Sequence, residues 1–267
     1  MKWSKFMEIP SGDPLDEIRP DGGFCGISRT IGCIGDSLSS GEFESLDDAG
    51  QKGYHDEYDY SWGQYLARLC GNTVYNFSRG GMTAREYCAT FAEEQDFWNP
   101  DKLCQAYIIA LGVNDLNWLH HERGSMQDVC LEDYTKNADT IAGNYARIIQ
   151  RLRSMQPQAR FFLMTIPRSD DETPGRREGQ DWHASLIREM ASVFPHTYVL
   201  DFRRYAPIYD AEFRRRFNLG GHMNPAGYLL TSRMVASYID FIIRRNMEDF
   251  SQVCFIGKPY HNVSAKW

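Results

Sequence analysis

Ser37 and His222 are residues whose types suit acyl transfer, the first as nucleophile and the second as base. That chemistry also needs donors aimed at the oxygen that becomes negative. Gly81 offers a backbone N–H that no side chain obstructs, Asn114 a side-chain amide, and Ser37 its own N–H as a third donor. Ser37 stands in Gly35-Asp36-Ser37-Leu38, directly after a short β-branched, apolar segment. A strand that stops at a glycine and hands over a serine presents a nucleophile at a sheet edge. The block is not the Gly-x-Ser-x-Gly elbow, because Ser39 stands where the second glycine belongs. On its own it is a weak signal, since a polar turn closing a buried strand reads the same way.

The elements that must position these residues give the signal its weight. Apolar, β-rich segments predict strands over 30–34, 73–77, 106–111, 160–166 and 197–200. Helical spacing predicts helices over 61–69, 83–94, 131–155 and 182–193. A last helix starts at Asn224-Pro225, a capping residue followed by proline, and runs to about Arg245. Strands alternating with helices predict an α/β fold, a parallel sheet covered on both faces. In such sheets ligands bind outside the carboxyl ends of the strands. In the order 2-1-3-4-5, the turns Gly35-Asp36-Ser37, Gly80-Gly81 and Gly112-Val113-Asn114-Asp115 close three neighbouring strands. Gly220-Gly221-His222-Met223-Asn224-Pro225 follows the fifth strand. Residues 39–60 read as a long acidic loop, with seven carboxylates against Lys52 alone, either a solvated surface or a substrate lid.

These blocks resemble the SGNH (GDSL-type) hydrolase family over most of the chain. Gly35-Asp36-Ser37-Leu38 is similar to the family's first block, whose serine is the nucleophile. Asn76-Phe77-Ser78-Arg79-Gly80-Gly81-Met82-Thr83 is similar to the second, with Gly81 at the oxyanion-hole glycine and Ser78 in place of a frequent glycine. Gly112-Val113-Asn114-Asp115 is similar to the third, with Asn114 as the oxyanion-hole asparagine, and His222-Met223-Asn224-Pro225-Ala226-Gly227 to the histidine block. The resemblance implies a three-layer α/β/α sandwich with a flavodoxin-like strand order, and metal-free hydrolysis of esters or thioesters. One position departs from it: Leu219 stands three residues before the histidine, where the family usually has aspartate. The expectation is therefore a Ser37–His222 dyad. A backbone carbonyl is the first choice to orient His222, and Asp201 at the end of the fifth strand the second.

Composition limits the alternatives. The 267 residues carry a net charge of −7, which disfavours a nucleic-acid partner. No stretch approaches the roughly 20 apolar residues of a membrane span. The first ten residues meet Glu8 early and do not read as a secretion signal. Seven scattered cysteines read as buried thiols of a reducing compartment, so a cytoplasmic location is expected. His55-Asp56-Glu57 and His120-His121 lack a helical His-x-x-x-His pair or a cysteine partner, so neither a metal nor another cofactor is expected. His183 and His196 read as core or surface histidines. Tyr54, Tyr58, Tyr60 and Trp62 serve packing or form an aromatic wall beside Ser37. With no repeat or linker, residues 1–267 are expected to form one domain, with 1–28 as an N-terminal extension and about 248–267 as a tail. The expected activity is a serine esterase acting through an acyl-enzyme on small-molecule esters, with short acyl groups such as O-acetylated carbohydrate. A thioesterase or lysophospholipase is the enzymatic alternative. An inactive ligand-binding module, favoured by Leu219, is the alternative from another class.

Overall fold

The computed structural model describes residues 11–267; the first ten residues of the expected N-terminal extension lie outside it. In chain order the main elements begin with β1 (Thr30–Gly35), α1 (Ser37–Ser40), β2 (Glu42–Leu46), β3 (Lys52–Asp56), α2 (Trp62–Cys70) and β4 (Thr73–Ser78). They continue with α3 (Ala84–Glu86), α4 (Ala92–Glu94), β5 (Ala106–Ala110), α5 (Val113–Asn117), α6 (Ile141–Met155) and β6 (Arg160–Met164). The last are α7 (Pro174–Val193), β7 (Thr197–Leu200), α8 (Phe202–Tyr205), α9 (Ala211–Phe217), β8 (Asn218–Leu219), β9 (His222–Met223) and α10 (Pro225–Arg245).

Among the described residues, five parallel strands form the central sheet in the order β4-β1-β5-β6-β7. Counted along the sheet strands alone this is 2-1-3-4-5, as expected. Side chains alternate across the sheet and so feed two cores. Ile31, Cys33, Ala106 and Ile108 face α2 and α10, where they meet Trp62, Leu66, Val235 and Ile239. Ile34, Tyr107 and Ile109 face the other way, onto Tyr87, Tyr145, Ile149 and Ile187 from the helices between β4 and β7. The three layers of an SGNH-type α/β/α sandwich follow from this period of two. Cys33 and Cys104 are buried thiols, Cys70 is half-buried, and all seven cysteines are free.

Several boundaries differ from the sequence expectation, each for a local reason. Residues 39–60 are not an irregular loop: β2 and β3 pair antiparallel as a hairpin, with Glu42 opposite Asp56 and Glu44 opposite Tyr54. Its strands are too polar to carry the usual β signal. The helix expected from residue 131 starts at Ile141, because Thr140 caps it by accepting the Gly143 N–H. The helix expected from residue 182 begins at Pro174, with Thr173 as its cap and proline in the first turn. Between α3 and α4 the helix widens into a π-turn, Tyr87–Phe91.

Candidate active site

Sheet register brings the glycine turns to one level. Gly35 pairs with Ser78 of β4 on one side and Ala110 of β5 on the other. Two residues beyond these three partners stand Ser37, Gly80 and Gly112. Ser37 is the first residue of α1, so its N–H has no acceptor inside the helix and stays available to a ligand. Asp36 caps that helix through the Leu38 N–H at 3.1 Å, and Gly41 ends it with φ +82°. The turn into α1 is thus fixed at both ends, and the half-buried serine is carried at the sheet's edge.

The other expected donors lie beside it. Gly81 adopts φ +71°, a conformation that favours glycine. Open space surrounds its α-carbon, so a ligand can approach its backbone. Asn114, in the first turn of α5, donates from Nδ2 to the Met82 carbonyl at 3.1 Å. One amide hydrogen is used this way and the second remains for a ligand. The neighbouring Asp115 is fully buried; it accepts the Ala84 N–H at 3.0 Å and meets His121 Nδ1 at 3.1 Å. Asp115 therefore ties α5 to α3 and holds the two oxyanion turns in fixed relation.

His222 enters from β9, paired across the Gly220-Gly221 turn with Leu219, whose side chain is exposed. Its ring lies between two carboxylates that sequence reasoning missed. Nδ1 meets Glu44 Oε1 at 3.1 Å, and Nε2 meets Glu42 Oε1 at 3.1 Å. The expected partners are not there. Asp201 is engaged by the Arg188 guanidinium at 2.8 and 3.1 Å and by the Thr165 hydroxyl. A backbone carbonyl is not needed, because whichever ring nitrogen turns to Ser37, a carboxylate holds the other. The carboxylate missing at Leu219 is supplied instead from the hairpin.

The pattern Glu42-Phe43-Glu44 explains how. In a strand the two glutamates share one face and Phe43 takes the other. Phe43 packs edge-on against Tyr228 of α10, with ring centroids 5.4 Å apart, while the Tyr228 hydroxyl donates to the Glu42 carbonyl at 2.7 Å. That anchor presents both carboxylates to His222. Glu44 is the more firmly held, since it also accepts the Gly221 N–H at 2.7 Å and the Lys52 ammonium at 3.1 Å. Burial pushes its pKa up, but the hydrogen bonds from Lys52, His222 and Gly221 outweigh this and leave it below the usual glutamate value. Glu42 is raised instead, first by burial and then by the charges of Asp56 and Glu44, against the opposing pull of His222. Its carboxylate lies against Gly80, on the side of the oxyanion turns, whereas that of Glu44 lies against Gly220. The Ser37 hydroxyl has no hydrogen-bond partner among the described residues, and Nε2 faces Glu42 rather than the serine.

Beneath this constellation is an apolar cavity of about 100 Å³. Leu38, Val113 and Met223, the chain neighbours of Ser37, Asn114 and His222, line it together with Trp62 and Ile166. Asp36 borders it, and burial raises the Asp36 carboxyl to about 7. Of the aromatic residues expected near Ser37, Tyr54 sets its exposed ring 5.9 Å from that of His222, whereas Trp62 is buried. Among the described residues no group of three His, Cys, Asp or Glu side chains could hold a metal ion. His55 pairs with Ser45 on the hairpin, and His183 is a fully buried core residue.

A family model for the GDSL-like lipase/acylhydrolase family matches residues 33–230. No curated protein matches the chain. Among solved structures, a family two carbohydrate esterase from Clostridium thermocellum in complex with cellohexaose is 16% identical with a TM-score of 0.56, covering 83% of this chain and 65% of its own. A carbohydrate esterase family 2 enzyme with a carbohydrate binding domain from Corynascus thermopiles is 16% identical with a TM-score of 0.57, covering 82% and 67%. A possible lipase from Chitinophaga pinensis is 15% identical with a TM-score of 0.53, covering 82% and 98%. At these identities the likeness is one of fold.

Proposed function

The chain belongs to the GDSL-like lipase/acylhydrolase family, and from that premise we propose that it is a serine-dependent ester hydrolase working through Ser37, His222 and Glu44. The observation that carries this reading is the 3.1 Å contact of Glu44 with His222 Nδ1, which restores a carboxylate to a site whose sequence lacks the usual one. In the reaction Ser37 Oγ attacks the acyl carbonyl and passes its proton to His222 Nε2. Glu44, held by Lys52 and Gly221, stabilises the imidazolium and fixes its tautomer. The Ser37 and Gly81 N–H groups and the Asn114 amide receive the oxyanion. The alcohol leaves with the proton from Nε2, and water then releases the acyl group from Ser37 by the reverse relay.

A short acyl group agrees with the size of the cavity beneath the site, about 100 Å³, smaller than an engineered cavity of about 150 Å³ that holds a benzene ring. The carbohydrate esterases with this fold support an O-acetylated carbohydrate as the substrate class. Incubation with 4-nitrophenyl acetate and with a fluorophosphonate probe tests the reading. Turnover and a probe adduct on Ser37, both lost in Ser37→Ala, are expected. Folded wild-type protein with neither turnover nor adduct would make the chain a binding module.

A further inference from the structure

The leaving alcohol takes its proton from His222 Nε2, so its oxygen has to reach that nitrogen. In this structure the place is held by Glu42 Oε1, 3.1 Å away. Nε2 cannot serve Glu42 and Ser37 together, because it offers a single hydrogen-bonding direction. Turnover therefore requires Glu42 to release Nε2, and a freed carboxylate then stands beside the departing alcohol. Its protein surroundings do not neutralise it. The charges of Asp56 and Glu44 oppose its own, and Lys52, the cation on this face of the hairpin, is already paired with Glu44.

From this geometry, and resting on the ester-hydrolase reading, we propose that Glu42 selects esters whose alcohol carries an ammonium group. Such a substrate brings its own counterion for the carboxylate that Nε2 gives up. The exposed ring of Tyr54, 5.9 Å from that of His222, adds an aromatic surface at the same place, suited to a cation. An alcohol bearing phosphate or carboxylate meets like charge there and is disfavoured.

The test compares kcat/KM for acetylcholine with that for 3,3-dimethylbutyl acetate, its neutral isostere. The wild type is expected to prefer the cationic ester about tenfold, as a partly exposed charge pair allows, and to lose most of this preference in high salt. In Glu42→Gln and in Glu42→Ala the ratio is expected to fall to about twofold or less, while turnover of the neutral ester rises in Glu42→Ala because Nε2 is released. A wild-type ratio near one, or a preference that survives both variants, would overturn the proposal. Calorimetric titration with choline separates this proposal from the hydrolase reading. Choline bound by the wild type but not by Glu42→Ala, in a protein that turns over no ester, keeps the cation site and removes the hydrolase. Ester turnover with neither choline binding nor preference does the reverse.

Discussion

Glu44 and Asp201 are both carboxylates near the carboxyl edge of the sheet, and what each touches separates their roles. Glu44 lies on His222 Nδ1, while Asp201 is occupied by Arg188 and Thr165. Glu44→Gln is expected to lower kcat by 10²–10⁴ with little change in KM, because it acts on an imidazolium that forms only during reaction. Asp201→Asn is expected to keep activity within about tenfold and to show its effect in thermal stability. Steady-state kinetics on the two variants, beside a melting curve, tests the assignment; equal losses of kcat would undo it. Asn114→Ala is expected to lower kcat by about 10²–10³, also with KM nearly unchanged, and a change confined to KM would make Asn114 a substrate-binding residue. Ser37, Gly81, Asn114 and His222 were legible in the sequence because each follows a strand or precedes a capped helix. Glu44 was not, since among the seven carboxylates of its segment nothing local marks the one that meets His222. The alternation of Glu42, Phe43 and Glu44 was the available signal, and it has meaning only once the segment is known to be a strand.

At the scale of elements, the short α1 and the β2–β3 hairpin act as one unit through Gly41. This glycine ends α1 at φ +82°, and its N–H donates to the Ser37 carbonyl. A Cβ there would stand 2.9 Å from the Glu57 carbonyl oxygen and 3.0 Å from the Ser61 Cβ, so the backbone has to shift. Gly41→Ala is expected to cost about 1–3 kcal/mol of stability and to reduce kcat severalfold, because the hairpin that carries Glu42 and Glu44 is displaced relative to Ser37. Denaturant titration and kinetics measure this; a variant with wild-type kcat would mean that the hairpin does not set the geometry of His222. The sheet strands themselves were readable almost to the residue, since strands buried on both faces are apolar throughout. The hairpin was not, because its outer strand, Lys52-Gly53-Tyr54-His55-Asp56, is mostly exposed and buries no apolar stripe. The start of α7 was readable in principle from Thr173-Pro174, but the charged turns that follow lack apolar spacing.

For the molecule as a whole, two buried groups bend the dependence of stability on pH in opposite directions. Burial raises Asp36 to about 7 and lowers His183 to about 4. Unfolded, the two titrate near 3.8 and 6.5. Between these limits the native state holds a proton on Asp36 that the unfolded chain has released, so this residue makes stability fall as pH rises. Over much of the same window the unfolded chain holds a proton on His183 that the native state excludes, so this residue makes stability rise with pH. The two slopes largely cancel in the wild type, and a single substitution uncovers them. Asp36→Asn keeps a good helix cap for α1 but cannot ionise. Relative to wild type it is therefore expected to gain stability steadily from pH 4 to 7, by about 1.4 kcal/mol per unit at the steepest and about 4 kcal/mol at most in all. Carboxylates lowered by their ion pairs, such as Glu44 and Glu172, titrate in both proteins and drop out of the difference. Urea denaturation of both proteins at pH 4, 5.5 and 7 measures it. A difference that stays constant over the window would mean that Asp36 ionises as an ordinary carboxylate, and that the edge of the sheet beneath Ser37 is wetter than its burial implies.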